Sequence, residues 1–361
     1  MRCFADIGAE TGVLSADLSR TLAIYPKVKC FSTKKGRLAA ILSGVRWSDV
    51  VVVGGGELLQ DRSSLLYSPF NLTPLLLARI FRRRAFCWAV GIGRSEELAR
   101  TTPALAKFAL RVCSGITVRD RSSHDTLIKW GFSSPVLKIA ADSALTLGSG
   151  YSPGPVGSDV LGVAPRNVLN RQGRLLPLEM RRKLPGFRPE DPSSAVFEWA
   201  KVLDRHLGAN GGSVLFFPFH TGTLSNDDGE FCKRILDAMK LSHMASIATF
   251  DTVPDALALM ARCRVMITTP LHGAILSVVA GALPVAVSYS SKCDRFMEMA
   301  GLGDLVIPGA PGVPGPEAVE VVQHAWDRCG PIWESLAETR QELISAAGST
   351  SDHFTRMITE C

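Results

Sequence analysis

The chain has 361 residues, of which 46% are hydrophobic and 20% are charged. This length exceeds what one hydrophobic core usually serves and this composition excludes intrinsic disorder, so we expect two globular domains. The formal net charge is +6. We take the basic residues to be evenly spread, which argues against a nucleic-acid-binding protein and suits an anionic ligand or an acidic membrane surface.

Strand and helix patterns alternate through the first part of the chain. Short apolar runs predict buried strands, and longer patterns between them predict helices. The strands are predicted at 50–53, 85–90, 115–118 and 136–140, and the helices at 66–83, 96–112 and 123–130. This alternation predicts a doubly wound parallel sheet, with Ser122 or Ser123 capping the third helix.

The same alternation returns after the stretch GSGYSPGPVG (148–157), whose Gly, Pro and Ser content predicts an interdomain linker. Strands are predicted at 160–164, 214–217, 246–250, 265–267 and 284–288, and helices at 194–207, 229–241, 254–263 and 274–282. The polar segment 171–192 is predicted to be an exposed loop or lid.

The domain limits follow from this pattern. We expect an α/β protein with two doubly wound, Rossmann-like domains facing a cleft. The first domain is predicted at 1–149, with a start that is open to truncation, and the second at 158–330. Helices of 331–361 are predicted to pack back on the domains.

The uncharged stretch MITTPLHGAILSVVAGALPVAVSYSS (266–291) is long enough to cross a membrane. Pro270 and Pro284 would interrupt a single helix, and His272 is polar. The apolar residues also change type along the run, from strand-like to small and back to strand-like. We therefore predict a buried strand–helix–strand unit rather than a membrane span.

In open parallel sheets, ligands bind beyond the carboxyl ends of the strands, so polar residues at predicted strand ends are candidates for a site. Gly54, Gly55 and Gly56 follow the first predicted strand, where they would form either a ligand cradle or a tight turn. Asp61 would cap the following helix or contact a sugar hydroxyl. Arg119 would bind a carboxylate or phosphate, or would pair with Asp120 or Asp142.

Four further candidates lie in the second predicted domain. His272 stands between a strand end and a helix start, where a neutral imidazole can act as general acid or base. Lys292 would hold a phosphate, or is a solvated lysine at a helix start. His220 and Asp227 are predicted sugar or nucleotide contacts, in a loop that is equally typical of an ordinary surface turn.

Nine cysteines occur and none is in a CxxC motif, which predicts reduced thiols in the cytoplasm and no metal site. The N-terminal residues lack the layout of a signal peptide. Arg82, Arg83 and Arg84 form a dense basic run. They would be a solvated helix end or a peripheral contact with the inner face of the membrane.

Together these motifs resemble the polysaccharide pyruvyl transferase family. The resemblance rests on VVVVGGGELLQD, WAVGIG, ITVRDRSSHDTL, IAADSAL, LGVAPR, FFPFH and LHGAILSVVAGALPVAVSYSSKCDRFMEMAGL. It implies a GT-B-like fold and transfer of pyruvate from phosphoenolpyruvate to a sugar as a ketal, with release of phosphate and no cofactor or metal. It also implies functional roles for Arg119, His272 and Lys292. Further substrate contacts are expected in these motifs, at Arg166, Ser288 and Tyr289.

The resemblance is incomplete in two places. The glycine- and asparagine-rich loop that usually opens the family is not recognisable, and Pro270 occupies a position where the family often has an arginine. The acceptor is expected to be a cell-wall or exopolysaccharide precursor, linked to a lipid or a nucleotide. The alternatives are a nucleotide-sugar glycosyltransferase of the same architecture and a non-catalytic sugar-phosphate binding protein.

Overall fold

The computed structural model describes residue 4 and residues 7–359, except 35, 62–63, 94, 96–97, 134–135, 151–156, 169–190, 222–226 and 309–311. The described residues form two compact units. The first takes in the described residues up to Ser143 and again from Ala346, and the second takes in the described residues between Ala144 and Ser345. Residues 171–190 of the predicted lid and the middle of the predicted linker lie outside the described residues.

A four-stranded parallel sheet organises the first unit, in the order β3-β4-β5-β6. Its strands are β3 (Val50–Leu59), β4 (Arg84–Ile92), β5 (Cys113–Val118) and β6 (Leu137–Ile139). The crossover helices are α3 (Tyr67–Ile80), α4 (Thr102–Leu110) and α5 (Arg121–Lys129). Their apolar residues close one core with Leu75, Cys87 and Ile116. The predicted strand–helix alternation is therefore confirmed here.

Four elements of the first unit precede Val50 and were not predicted. They are β1 (Gly12–Ser15), α1 (Leu18–Ile24), β2 (Lys29–Ser32) and α2 (Arg37–Trp47). β1 and β2 pair in parallel as a separate two-stranded sheet. The strands are short and mostly half-buried or exposed, so they lack the continuous apolar run that marks the other strands.

The second unit contains a six-stranded parallel sheet in the order β12-β11-β10-β7-β8-β9. Its strands are β7 (Val160–Ala164), β8 (Ser213–Phe216), β9 (Ala245–Ile247), β10 (Val265–Thr268), β11 (Leu283–Val287) and β12 (Val306–Ile307). The helices are α6 (Ser193–Asn210), α7 (Asp228–Ala238), α8 (Val253–Met260), α9 (Leu271–Ala280), α10 (Ser291–Met299) and α11 (Ala318–Asp327). The strand order reverses between β7 and β10, which is where doubly wound sheets bind ligands.

The uncharged stretch 266–291 forms β10, α9 and β11 and the first residue of α10, so the strand–helix–strand prediction is confirmed. Helix α9 has 10 residues, nine of them buried. It ends at Gly281, which has φ +92° and takes the left-handed conformation that closes many helices. Within the described residues, no helix is both long and apolar enough to span a bilayer.

The last helix, α12 (Cys329–Thr359), contributes to both units. In the first unit its end packs Phe354 and Met357 against Phe86, on the sheet face opposite Cys87. The two units come from contacts within the fold and are not the same as independent domains. The domain limits predicted from the sequence, at residues 149, 158 and 330, therefore stay predictions.

Candidate functional site

Arg119 follows β5 at the carboxyl edge of the first unit's sheet, and its side chain is only 6% exposed. Its Nε lies 3.8 Å from Asp120 and its Nη1 lies 3.5 Å from Asp142, so both of the ion pairs considered from the sequence are present. Its Nη2 is buried and has no hydrogen-bond partner among the described residues. A buried guanidinium donor without a partner costs free energy, and an anion that accepted from it would remove that cost.

Asp120 also shapes the backbone that carries Arg119. Its carboxylate accepts from the Ser123 amide at 2.8 Å and caps α5, so the expected capping by Ser122 or Ser123 is wrong. The hydroxyl of Ser123 instead accepts from the Ile92 amide at 2.9 Å and links α5 to β4. The cap fixes the turn immediately after Arg119.

Glycines of β3 and β4 leave room around this guanidinium. A Cβ at Gly91 would lie 2.6 Å from Arg119 Nε, so the arginine occupies the space that a side chain would fill. Gly54, Gly55 and Gly56 lie inside β3, and not after it as the sequence had predicted. Because Gly54 has no side chain, β3 can pair with β4 close to the Trp88 carbonyl oxygen. Gly55 and Gly56 have φ of +74° and +138° with open space at the Cβ position, so their role as a ligand cradle stays a prediction.

Asp61 is 3% exposed and binds the start of α4. Its Oδ2 accepts from the Ala99 amide at 2.8 Å and from the Thr102 hydroxyl at 2.5 Å. It therefore holds the segment before α4, and not the helix that follows it in the chain. Its Oδ1 is buried without a hydrogen-bond partner in the described part of the chain, so a contact with a substrate hydroxyl stays a prediction.

His272 is the second residue of α9, directly after β10 at the carboxyl edge of the second unit's sheet. Its side chain is exposed, although its neighbours Leu271 and Gly273 are buried. Pro270 is the N-cap residue and has no side chain that can cap the helix, and the Gly273 amide donates to the Pro270 carbonyl at 2.8 Å. The N-terminus of α9 carries the partial positive charge of the helix dipole. The adjacent Thr269 hydroxyl is fully buried and has no hydrogen-bond partner among the residues described.

Lys292 stands beside this turn, at the start of α10. Its Nζ lies 5.2 Å from the centroid of the Tyr289 ring. The Cys293 thiol donates to the Thr269 carbonyl at 3.5 Å, which holds the starts of α9 and α10 together. The hydroxyl of Ser290, the N-cap residue of α10, is buried without a hydrogen-bond partner in the described chain.

Ser288, another predicted substrate contact, donates its hydroxyl to the Asp294 carboxylate. The Ser288 hydroxyl therefore holds the first turn of α10. β10 leads into α9 and β11 leads into α10, and the two strands are paired. The N-termini of α9 and α10 therefore lie side by side at one edge of the sheet. Each carries a partial positive charge.

Arg166 follows β7 and is held by Asp228, which the sequence analysis did not single out. The Arg166 Nε and Nη2 donate to the two Asp228 oxygens at 3.3 and 3.0 Å, and the His220 amide donates to Asp228 Oδ2 at 2.9 Å. Burial lowers the pKa of Arg166, but the hydrogen bonds and charge of Asp228 outweigh it and raise that pKa above its ordinary value. Tyr289 and Cys293 are close enough to add to this rise.

The neighbouring Asp227 holds the start of α7, and its contact with a sugar or nucleotide stays a prediction. Its carboxylate accepts from the Gly229 and Glu230 amides at 2.7 and 3.2 Å and caps α7. The sequence shows two consecutive aspartates at a helix start, and nothing in it tells which one faces Arg166. The side chain of His220 is exposed, and its contact with a sugar or nucleotide stays a prediction.

The second unit thus brings together the predicted residues Arg166, His220, His272 and Lys292. They follow four adjacent strands in the order β8, β7, β10 and β11, around the point where the strand order reverses. Lys292, two helix N-termini and two buried hydroxyls at this edge are groups suited to phosphate or carboxylate, while Arg166 is paired with Asp228. Arg119 lies on the first unit. Among the described residues, no cluster of three or more His, Cys, Asp or Glu could hold a metal ion.

Comparisons with known proteins agree with this architecture. The sequence profile of a family described as polysaccharide pyruvyl transferase matches residues 7–291. A comparison with curated proteins found no match. Among solved structures, Anabaena HepE in complex with UDP superposes with a TM-score of 0.58 and 14% identity, over 100% of this chain and 96% of that chain.

Two further similar structures are UDP-sugar epimerases. UDP-GlcNAc 2-epimerase from Neisseria meningitidis, bound to UDP-GlcNAc, superposes with a TM-score of 0.61 and 10% identity, over 98% of this chain and 92% of that chain. A putative UDP-N-acetylglucosamine 2-epimerase from Listeria monocytogenes gives 0.58 and 11%, over 98% and 88%. At these identities the likeness shows the fold alone, which is GT-B-like, as predicted.

Proposed function

Because the chain belongs to the polysaccharide pyruvyl transferase family, we propose that it transfers pyruvate from phosphoenolpyruvate to two hydroxyls of a sugar. The product is a ketal and the leaving group is phosphate. Carbon 3 of phosphoenolpyruvate gains a proton and becomes a methyl group, while carbon 2 forms two new bonds to sugar oxygens and loses its bond to phosphate. Of the two hydroxyl protons, one balances the proton on carbon 3 and the other leaves with phosphate, so no oxidant, metal or cofactor is needed.

His272 is our candidate for the acid and base. It is exposed at the start of α9, so a substrate can reach its ring. It would protonate carbon 3 and then accept a proton from an attacking hydroxyl. A positioned side chain of this kind contributes about 10²–10⁴-fold to the rate.

Arg119 and Lys292 are our candidates for binding the two anionic groups of phosphoenolpyruvate. The buried Nη2 of Arg119 supports a carboxylate or phosphate contact, because an anion would supply the partner it lacks among the described residues. Lys292 lies at the start of α10, where its charge adds to that of the helix N-terminus.

The acceptor, we propose, is a sugar linked through a diphosphate to a nucleotide or a lipid, as in a cell-wall or exopolysaccharide precursor. The observation that favours this acceptor is the location of several groups at one edge of the second unit's sheet. They are the N-termini of α9 and α10, the Arg166 side chain, and the buried hydroxyls of Thr269 and Ser290. Two of the similar structures were solved with UDP or UDP-GlcNAc bound, which is compatible with a nucleotide-linked acceptor. Arg166 would also supply a cation near Pro270, where the family often has an arginine.

The reaction would take place in the cytoplasm, where phosphoenolpyruvate is available. The free thiols of seven described cysteines support a reducing compartment.

The observation that carries the proposal is the buried, unsatisfied guanidinium donor of Arg119, in a chain of this family. The test is phosphate release from phosphoenolpyruvate with a panel of nucleotide-linked and lipid-linked sugars. We expect His272→Ala to lower kcat about 10²–10⁴-fold and Arg119→Gln to raise the KM for phosphoenolpyruvate about 10–100-fold. The matched control is His243→Ala, which removes an exposed histidine just before β9, at the opposite edge of the same sheet.

Full turnover in His272→Ala would refute the acid–base role. Phosphoenolpyruvate binding without phosphate release, with every acceptor tried, would instead support the non-catalytic alternative. Glycosyl transfer from a UDP-sugar without use of phosphoenolpyruvate would support the glycosyltransferase alternative.

A further inference from the structure

Basic residues are concentrated in one part of the first unit. The expectation that basic residues are evenly spread along the chain is therefore wrong. Residues 27–119 contain 16 Lys and Arg but only 5 Asp and Glu, a local excess larger than the net charge of the whole chain. Much of this excess falls near the C-termini of α2, α3 and α4. These helices end just before β3, β4 and β5, so their ends meet at the amino edge of the sheet, opposite Arg119.

Side-chain contacts make this edge one continuous surface. The Arg46 guanidinium, at the end of α2, lies 5.1 Å from the Phe81 ring centroid, and Arg83 Nη2 donates to the Arg46 carbonyl at 2.9 Å. At the end of α3, the Arg79 guanidinium lies 4.6 Å from the Phe108 ring centroid on α4. Cations of α2 and α3 thus lie over aromatic rings at the end of α3 and on α4. We call this surface, formed by Arg46, Arg79, Ile80, Arg82, Phe108 and Arg111, the basic edge.

Two large apolar side chains project from the basic edge. Ile80 is 69% exposed and follows Arg79 in the chain, and Phe108 is 49% exposed beside the Arg79 guanidinium. Cations at helix C-termini are explained by the helix dipole, but that explanation does not account for apolar side chains left in water beside them. An anionic bilayer surface accounts for both, because the arginines meet lipid phosphates while Ile80 and Phe108 enter the acyl boundary.

The backbone at Arg82 points the same way. Arg82 has φ +53° in the tight turn from α3 to β4, a position where helices usually place glycine. The Arg83 amide closes this turn by donating to the Ala78 carbonyl at 2.8 Å. A glycine would relieve the strain and remove an exposed cation, so the arginine is explained by a use for its side chain.

We propose that the basic edge docks the protein on a membrane that contains anionic phospholipid. The exposed Ile80 and Phe108 favour a lipid surface over a nucleic acid, whose backbone offers phosphates but no apolar layer. Docking through the amino edge leaves Arg119 at the carboxyl edge of the sheet, at the other end of β5, a strand of 6 residues that is about 20 Å long. This inference does not depend on the reaction proposed above.

The test is co-sedimentation of the full chain with vesicles of phosphatidylcholine, alone or mixed with phosphatidylglycerol. We expect binding to the mixed vesicles only, and weaker binding in high salt. The triple variant Arg79→Gln, Arg82→Gly, Arg111→Gln is expected to lose about fivefold in affinity for each cation removed. The variant Ile80→Ser, Phe108→Ser is expected to lose about tenfold.

Two variants on the second unit serve as controls. Phe197→Ser removes a side chain that is 64% exposed on α6, and Lys233→Gln removes an exposed cation on α7. Neither is expected to change vesicle binding. Arg82→Gly alone guards against misfolding, since it relieves backbone strain and is still expected to weaken binding.

Three results would overturn the proposal. The first is no sedimentation with mixed vesicles, and the second is an equal loss of binding in Phe197→Ser. The third is unchanged binding in Ile80→Ser, Phe108→Ser together with full competition by single-stranded RNA, which would assign the edge to a nucleic acid. Calorimetric binding of phosphoenolpyruvate is expected to be equal in all variants, so a failure of docking and a failure of the proposed reaction are distinguishable.

Discussion

Replacing Gly91 by alanine tests whether the position of the Arg119 guanidinium matters, and not only its charge. A Cβ at residue 91 would lie 2.6 Å from Arg119 Nε and 2.8 Å from its Cζ and Nη2. Non-bonded carbon atoms are normally about 3.5–4.0 Å apart, so the guanidinium must move by about 1 Å. Gly91 does not have a positive φ, so the added methyl group acts through this contact and not through backbone strain.

The movement would disturb the contacts that hold Arg119, at 3.8 Å from Asp120 and 3.5 Å from Asp142. A charge-assisted hydrogen bond from the guanidinium to the substrate would contribute about 1.5–3 kcal/mol to binding. A displacement of about 1 Å in a group that positions the substrate costs up to about 100-fold in rate. We expect Gly91→Ala to raise the KM for phosphoenolpyruvate about 10–100-fold, with a smaller change in kcat. The assay is phosphate release against phosphoenolpyruvate concentration, with thermal unfolding measured in parallel.

A matched control adds the same methyl group where it meets nothing. Gly208 lies on the exposed side of α6, and a Cβ there has no heavy atom within 4 Å. Gly208→Ala is expected to leave the kinetics unchanged. An unchanged KM in folded Gly91→Ala would refute the reasoning, because the guanidinium would then have moved without consequence for the substrate.

Three other predictions concern stability. Arg82→Gly is expected to raise the free energy of unfolding by about 1 kcal/mol in urea titration, because it removes a left-handed non-glycine residue; no gain would contradict this. Burial and the charge of Arg264 lower the pKa of His206 from 6.5 to about 4. As pH falls, the unfolded chain therefore takes up the proton on His206 before the folded chain does. The free energy of unfolding is expected to fall by about 3 kcal/mol between pH 6.5 and pH 4, and this loss should be missing in His206→Gln. Equal dependence of stability on pH in the two proteins would refute this. Asp228→Asn is expected to lower the free energy of unfolding by about 2 kcal/mol at pH 7, because Arg166 loses its charged acceptor; an unchanged midpoint would count against the pair.

Local patterns in the sequence were enough for the architecture. Buried strands of a parallel sheet are short apolar runs, and turn-forming residues separate them from the longer helical patterns. The stretch 266–291 shows this well, since Pro270 precedes α9, Gly281 follows it, and Pro284 is the second residue of β11. The elements before Val50 were missed because their strands are short and mostly half-buried or exposed.

The positions of the candidate residues along the chain were also readable, because the ends of parallel strands carry the ligand contacts of such folds. His272 and Lys292 were found in this way, and they lie at the predicted strand ends. What each side chain contacts was not readable. Asp61 holds the start of a helix 40 residues further on, and Asp228 rather than Asp227 binds Arg166.

The sequence by itself therefore determined the parallel α/β fold and the turns on which candidate residues lie, because both follow from the spacing of apolar and turn-forming residues within short segments. Only the tertiary structure decided which residues pair. It placed Asp228 beside Arg166 across 62 positions of chain, let the Arg119 side chain lie over Gly91, and gathered three helix ends into one basic edge. These contacts depend on strand order and on the space left by glycine, and neither is encoded in the residues on either side of a given position.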